Sequence, residues 1–181
     1  MPDITIVNVV ASATLETRLD LNQISEQLDG SDYDKKRFPG LIYRISEPQT
    51  AILLFSSGKA VCTGARSIED VHRAISVLVE RLQKIQPEVS STPPTTIQNI
   101  VATTDLGSEL RLNNIAVSLG LENVEYEPEQ FPGLVYRVSD PKVVALLFGS
   151  GKVVCTGAKK VEDVERALKR IIRDLEDTGF L

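Results

Sequence analysis

Along this chain, short segments rich in β-branched residues give way to longer ones whose apolar residues recur every three or four positions. The first pattern marks strands, with successive side chains on opposite faces, and the second marks amphipathic helices. TIVNVVAS, from Thr5 to Ser12, reads as a strand. LDLNQISEQL follows, with Leu21, Ile24 and Leu28 at helical spacing. Three more strands are predicted in LIYRI, AILLF and AVCTGA, separated by turns at Ser46-Glu47-Pro48 and Ser57-Gly58-Lys59. Turns this short join only antiparallel neighbours, so the strands form a meander. A shorter strand is expected before them, around Tyr33. A long helix then carries Ile68, Val71, Ile75, Leu78, Leu82 and Ile85 in one stripe, with Ser67 placed to cap it and Asp70 at its third position.

Sorting strand residues by parity separates two faces. Leu41, Tyr43 and Ile45 oppose Ile42 and Arg44, Ile52 and Leu54 oppose Leu53 and Phe55, and Ala60 and Cys62 oppose Val61 and Thr63. Helices can cover only one side. The other still carries Val10, Ile42, Leu53, Phe55 and Val61, interspersed with Asn8, Thr63 and Arg44. A large exposed apolar face of this kind marks a binding surface. Either a ligand with repeated hydrogen-bonding groups takes it, or a second protein or the other half of the chain buries it.

The whole pattern occurs twice. Thr5–Leu28 aligns with Thr96–Leu119, identical at 11 of 24 positions, and Tyr33–Leu82 aligns with Tyr126–Leu175, identical at 26 of 50. The densest matches are FPGLIYR (38–44) against FPGLVYR (131–137) and SGKAVCTGA (57–65) against SGKVVCTGA (150–158). QPEVSSTPPTT, rich in Pro and hydroxyl residues, joins the copies. The expected organisation is a first repeat over residues 1–85, a linker over 86–95 and a second repeat over 96–181, packed about a pseudo-twofold axis. In the second copy Lys160 stands where Ser67 caps the first helix.

Composition adds exclusions. The 181 residues are 42% hydrophobic and 25% charged, an ordinary globular mixture that can form a core without a metal or disulfide staple. Two cysteines 93 residues apart and a single histidine make neither a zinc site nor a disulfide framework. A net charge of −5 argues against coating nucleic acid by charge alone, although not against local basic patches. No apolar run reaches the roughly 20 residues of a membrane span, and Met1-Pro2-Asp3 lacks the build of a signal peptide. The expectation is a soluble cytoplasmic protein.

The doubled FPGLIYR, the SGK turn, the VCTGA strand, and the VNVVAS and QNIVAT strands resemble the TATA-box-binding protein family over essentially the whole chain, in its archaeal type without a long N-terminal extension. The resemblance implies an α+β fold in which two pseudo-symmetric repeats form one curved antiparallel sheet, a saddle with helices on the convex face and DNA beneath. It also implies a general transcription initiation factor, not an enzyme and without cofactor or metal. Such a factor binds the minor groove of A·T-rich promoter DNA, bends it, and recruits transcription factor B and, through it, RNA polymerase. Its place would be the nucleoid, or the nucleus in a eukaryote.

Inserting apolar wedges that kink the duplex is this family's known mode of binding, and it enters here from the resemblance. The family's wedges match Phe38, Phe55, Phe131 and Phe148. Its groove contacts match Asn8, Val10, Leu53, Val61 and Thr63 in the first copy and Asn99, Val101, Leu146, Val154 and Thr156 in the second. Phosphate-contacting positions match Arg44, Ser57, Lys59, Arg137, Ser150 and Lys152. Before FPG the first copy reads Asp34-Lys35-Lys36-Arg37 and the second Glu127-Pro128-Glu129-Gln130. Acidic residues there cannot hold phosphate, and since the family docks transcription factor B on its second loop, the resemblance makes Glu127 and Glu129 the expected docking residues for that factor.

Other signals carry less. Gly149-Ser150-Gly151-Lys152 lies between two strands and lacks the first glycine of a phosphate loop, His72 reads as a surface residue, and Cys62 and Cys155 have core parity. Two alternatives stand beside the main reading: a β-platform for single-stranded RNA, or a face for a protein partner. The apolar face also suggests weak homodimerisation without DNA.

Overall fold

The computed structural model describes residues 1–120 and 122–181. The first copy contains β1 (Thr5–Thr14), α1 (Leu21–Gln27), β2 (Ser31–Asp32), β3 (Leu41–Ser46), β4 (Gln49–Leu54), β5 (Lys59–Ala65) and α2 (Ile68–Gln83). The second contains β6 (Thr95–Asp105), α3 (Leu112–Leu119), β7 (Val124–Glu125), β8 (Leu134–Ser139), β9 (Lys142–Leu147), β10 (Lys152–Ala158) and α4 (Val161–Asp177). The strands form one ten-stranded antiparallel sheet in the order β2-β3-β4-β5-β1-β6-β10-β9-β8-β7. Packing divides the chain into two compact units, Asn8–Gln98 and Met1–Val7 with Asn99–Leu181.

Within each unit the alternation read from sequence is the alternation of burial. On β3 and β8 the pattern is buried, half-buried, buried, exposed, buried, exposed, residue for residue. The buried parity meets the helices. Val71, Ala74, Ile75, Leu78 and Leu82 of α2 are at most 5% exposed, as are Val164, Ala167, Leu168, Ile171 and Leu175 of α4. Truncating one of the fully buried leucines, such as Leu78 or Leu168, costs about 2–5 kcal/mol by transfer plus cavity. Cys62 and Cys155 belong to this core, and burial pushes both thiols up to about 11. They are inert packing groups in this state.

The helix ends follow their local sequences. The Ser67 side chain accepts from the Asp70 N–H at 3.0 Å, while α4 starts at Lys160 without a side-chain cap and relies on Glu162 and Asp163 against its N-terminal dipole. Asp20, not singled out from sequence, caps α1 by accepting from the Gln23 N–H at 3.1 Å. The short strand expected around Tyr33 lies at Ser31–Asp32 instead. The residues after it close a turn in which Asp34 O accepts from the Arg37 and Phe38 N–H groups.

Two positions show the copies solving one problem with different residues. Glu16 sits at φ 64°, in the left-handed region that costs a side chain roughly 1–2 kcal/mol, while its equivalent in the second copy is Gly107, at φ 77°. Tyr43 and Tyr136 occupy the same place on β3 and β8, yet Tyr43 accepts from the Arg81 guanidinium of α2 whereas Tyr136 donates to the Asp174 carboxylate of α4. Burial first, then that hydrogen bond, pushes the Tyr136 phenol up to about 12.

Glu16→Gly should therefore stabilise the fold by about 0.5–1 kcal/mol, a gain reduced by glycine's larger unfolded-state entropy; a urea melt that shows a loss instead would contradict the strain argument. Because the folded state holds the Tyr136 proton more tightly than the unfolded chain, its contribution is complete below pH 10 and is lost between about 10 and 12. Tyr136→Phe should cost about 1 kcal/mol at neutral pH and flatten the alkaline fall of stability in that window.

Candidate nucleic-acid interface

The half of the strand residues that points away from the helices forms an ordered surface in each unit. Strand register aligns Ile42 with Leu53 and Leu53 with Val61 in the first copy, and Val135 with Leu146 and Leu146 with Val154 in the second. A second cross-strand row pairs Arg44 with Ala51 and Ala51 with Thr63, and Thr63 reaches Asn8. Its counterpart runs Arg137, Val144, Thr156, Asn99. Thus each unit presents one apolar row and one row that begins with a cation and ends with an amide. Val10 and Val101 lie between the rows, half-buried. Ile42, already on the open face by parity, and Val135, Ala51 and Val144 sit in the same rows, although none matches a groove contact implied by the family resemblance. The parity argument that placed Leu53 applies to them equally.

The four phenylalanines meet in pairs at strand ends. The rings of Phe38 and Phe55 stand edge to face, with centroids 5.9 Å apart and planes at 65°, and Phe131 and Phe148 repeat this at 6.0 Å and 67°. None is in the core, and Phe131 is 41% exposed. The FPG motif makes the pairing fit. A Cβ on Gly40 would come within 2.7 Å of the Phe38 ring and 3.0 Å of the Phe55 ring, and one on Gly133 would meet Phe131 and Phe148 at the same distances. The glycine is the gap into which both rings fold.

The SGK turns hold the second ring of each pair. Phe55 N–H donates to Lys59 O and Gly58 N–H to Phe55 O, both at 2.9 Å, and Phe148, Lys152 and Gly151 repeat the arrangement. The loop after β1 braces the turn, with the Leu15 and Leu19 N–H groups donating to Gly58 O and Ser56 O. There is no room for a larger residue, since a Cβ on Gly58 would lie 2.1 Å from Thr17 O and one on Gly151 2.3 Å from Ser108 O. Ser57, Lys59, Ser150 and Lys152 are left exposed at these turns.

The amide ends of the polar rows are fixed by a break in the sheet. Val9 pairs with Ala65 but Ala11 with Cys62, so Thr63 and Gly64 together oppose Val10; Thr156 and Gly157 oppose Val101 in the same way. The bulge residues Gly64 and Gly157 lie at φ 91° and 98°. Asn8 Oδ1 accepts from the Gly64 N–H at 2.7 Å, and its Nδ2 lies 3.5 Å from Thr63 Oγ1. Asn99 Oδ1 accepts from the Gly157 N–H at 2.6 Å, and its Nδ2 donates to Thr156 Oγ1 at 3.1 Å.

Charge separates the two units where their motifs do not. Lys35, Lys36 and Arg37 are exposed before Phe38, whereas Glu127, Glu129 and Gln130 are exposed before Phe131, with Glu122 and Glu125 nearby. Glu125 also pairs with Arg137 at 3.2 Å, so the cation of the second polar row is partly engaged. Among the described residues no group of three His, Cys, Asp or Glu could hold a metal ion, and no helix is long and apolar enough to cross a membrane.

Known proteins give this arrangement a family. The family model described as transcription factor TFIID, or TATA-binding protein, matches residues 3–85 and again 94–178, once per copy. The chain is 56% identical to the TATA-box-binding protein of Picrophilus torridus, over all of this chain and 98% of that one. It is 57% identical to that of Thermoplasma acidophilum, over 98% and 97%. The solved structure of Methanococcus jannaschii TBP superposes with a TM-score of 0.87 at 49% identity, covering 97% of this chain and 99% of that one. With its motifs doubled, its face built from paired rows, and both copies matched end to end, the chain belongs to the TATA-binding protein family, a family of DNA-binding transcription factors and not of enzymes.

Proposed function

We propose that this chain is a general transcription initiation factor that binds A·T-rich promoter DNA through the minor groove, bends it, and docks transcription factor B, which brings RNA polymerase. The observation that carries the reading is chemical. Each unit offers the bound partner apolar side chains and an amide whose oxygen is turned to a backbone N–H of its own sheet while its NH2 keeps a hydrogen to donate. An A·T minor groove presents only acceptors, adenine N3 and thymine O2, and no guanine amino group to meet an apolar row.

On this reading Val10, Leu53, Val61, Val101, Leu146 and Val154 pack on the groove floor. Asn8, Thr63, Asn99 and Thr156 donate at its acceptors. Phe38, Phe55, Phe131 and Phe148 wedge between base steps, the rings of each pair already standing edge to face outside the core. Ring burial then offsets an unstacking cost of a few kcal/mol per step. Arg44, Lys59, Arg137 and Lys152, with Ser57 and Ser150, hold phosphates locally despite a net charge of −5, because screening confines each charge to about 8 Å at physiological salt. Repeat boundaries at 1–85 and 96–181, with residues 86–95 between, give each copy its own wedge pair and its own amide.

Gel-shift with an A·T-rich duplex, a G·C-rich duplex and a single strand tests the reading directly. Binding confined to the A·T duplex supports it; preference for the single strand would favour an RNA platform, and no binding at all a protein-docking face or a homodimer. Phe55→Ala with Phe148→Ala should lower affinity by at least about tenfold and reduce the bend measured by energy transfer. An unchanged bend removes the wedge assignment.

Acidic residues beside DNA do not hold phosphate, so Glu127 and Glu129 are assigned to transcription factor B, where charge complementarity sets partner choice and association rate. Glu127→Arg with Glu129→Arg should keep or strengthen binary DNA binding while losing the ternary complex. Reversing Lys35 and Lys36 should weaken DNA binding first. Normal ternary assembly by the glutamate double variant at moderate salt would refute this.

A further inference from the structure

A carboxamide that is free to rotate about χ2 offers an acceptor as readily as a donor, and its oxygen would take a hydrogen bond from the guanine N2 amino group. Asn8 and Asn99 are not free. A bulge residue is released from the strand ladder, so its N–H needs another partner. Gly64 and Gly157 find it in Asn8 Oδ1 and Asn99 Oδ1, at 2.7 and 2.6 Å. Turning either amide over would set an NH2 against an N–H at that separation, two donors facing each other. The oxygen is therefore committed to the glycine N–H, one Nδ2 hydrogen is directed to the threonine hydroxyl, and the remaining hydrogen has no protein partner among the described residues. Only glycine serves at the bulge, since φ of 91° and 98° is the left-handed region. The Thr-Gly-Ala sequence, 63–65 and 156–158, thus carries a consequence beyond backbone shape.

We propose that the Gly64 and Gly157 backbone N–H groups are positioning groups for specificity: by holding Oδ1 of Asn8 and Asn99 they make each amide donor-only toward the groove, and so set the discrimination against guanine. This rests on the minor-groove reading above and names a group that touches no DNA in it. The chain of cause runs from the TGA motif to a bulge, from the bulge to a spare N–H, and from that N–H to the polarity of a side chain on the neighbouring strand.

The test compares duplexes carrying inosine·C or G·C pairs at the middle of the site, which differ only in the N2 amino group. Peptide nitrogens are replaced by ester oxygens at Gly64 and Gly157 in the full chain, which removes both N–H groups and adds no Cβ. By anisotropy titration the wild type should bind the inosine duplex at least about tenfold more tightly than the G·C duplex, one donor–donor clash being worth that much. The double ester should shrink the ratio to under about threefold while its affinity for the inosine duplex falls by less than about tenfold. An unchanged ratio would show the glycines to be merely structural and overturn the proposal. A wild-type ratio near one would remove the minor-groove reading itself, before any ester is made.

Two measurements do not depend on the ester folding. Asn8→Asp with Asn99→Asp retains an acceptor for each glycine N–H, so its melting temperature should stay near that of the wild type while inosine-duplex binding falls at least about a hundredfold through lost donors and added charge. Unfolding of that variant would count against the arrangement. In the DNA-free wild type, scalar coupling across the hydrogen bond should connect each glycine nitrogen to the Cγ of its asparagine. Freely flipping side-chain amides without that coupling would overturn the proposal.

Discussion

A strand has two faces, and in each unit of this protein the helices cover one of them. That constraint organises the rest. Side chains of one parity, Leu41, Tyr43, Ile45, Ile52, Leu54, Ala60 and Cys62 in the first copy, are nearly or fully buried, and the stripe of α2 closes over that side. The intervening residues keep apolar character without a protein partner in their own unit. Stability and binding are thereby assigned to alternate residues of the same strands. A substitution at Leu54 is felt as a cavity and one at Leu53, its neighbour, as a change in what the surface can receive.

Glycine does the geometric work that lets such a surface carry fixed groups. Three glycines in each copy act in three different ways. At Gly40 and Gly133 the missing Cβ is the space the aromatic pair occupies, and at Gly58 and Gly151 it allows the turn to rest on the backbone of the β1 or β6 loop. At Gly64 and Gly157 the need is a positive φ, and the gain is an N–H turned toward a side chain. None of these residues offers a functional group of its own. Each determines where a phenylalanine, a lysine or an asparagine stands, so motifs that read as FPG, SGK and TGA are statements about neighbours.

Much of this was legible in the residues. Period-two alternation located β3, β4, β5 and their equivalents because short turns left antiparallel pairing as the only connection, and parity placed Phe55 and Thr63 off the core face correctly. The repeat sharpened every assignment, since an accidental pattern would not recur at the same spacing. What stayed hidden depended on pairing between distant segments. The bulge opposite Val10 requires β1 and β5 to be in register, so the Asn8 to Gly64 bond, 56 residues apart, has no local signal. The apolar spacing of LDLNQISEQL does not separate Asp20 from the helix, whereas it stands just ahead of α1 as its cap. The short strand moved from Tyr33 to Ser31–Asp32 because Asp34 begins a turn that positions Phe38.

The two copies differ in a patterned way. Residues on the open face and in the three glycine motifs are nearly the same in both, whereas supports and loops have diverged. Tyr43 leans on Arg81 and Tyr136 on Asp174, Ser67 caps a helix that Lys160 leaves uncapped, Glu16 bears a strain that Gly107 does not, and Lys35-Lys36-Arg37 faces Glu127-Pro128-Glu129 in sequence. A strut works with either sign of charge so long as the tyrosine finds a partner, and a helix start can use a cap or acidic residues against its dipole. Such positions are held only by stability and have room to drift. The open face has no such freedom if both copies meet one repeating chemistry, because a donor must stay a donor and a wedge must stay a wedge. The basic and acidic loops are the exception among exposed positions, since their opposite signs before an identical FPG give otherwise equivalent units different neighbours to prefer.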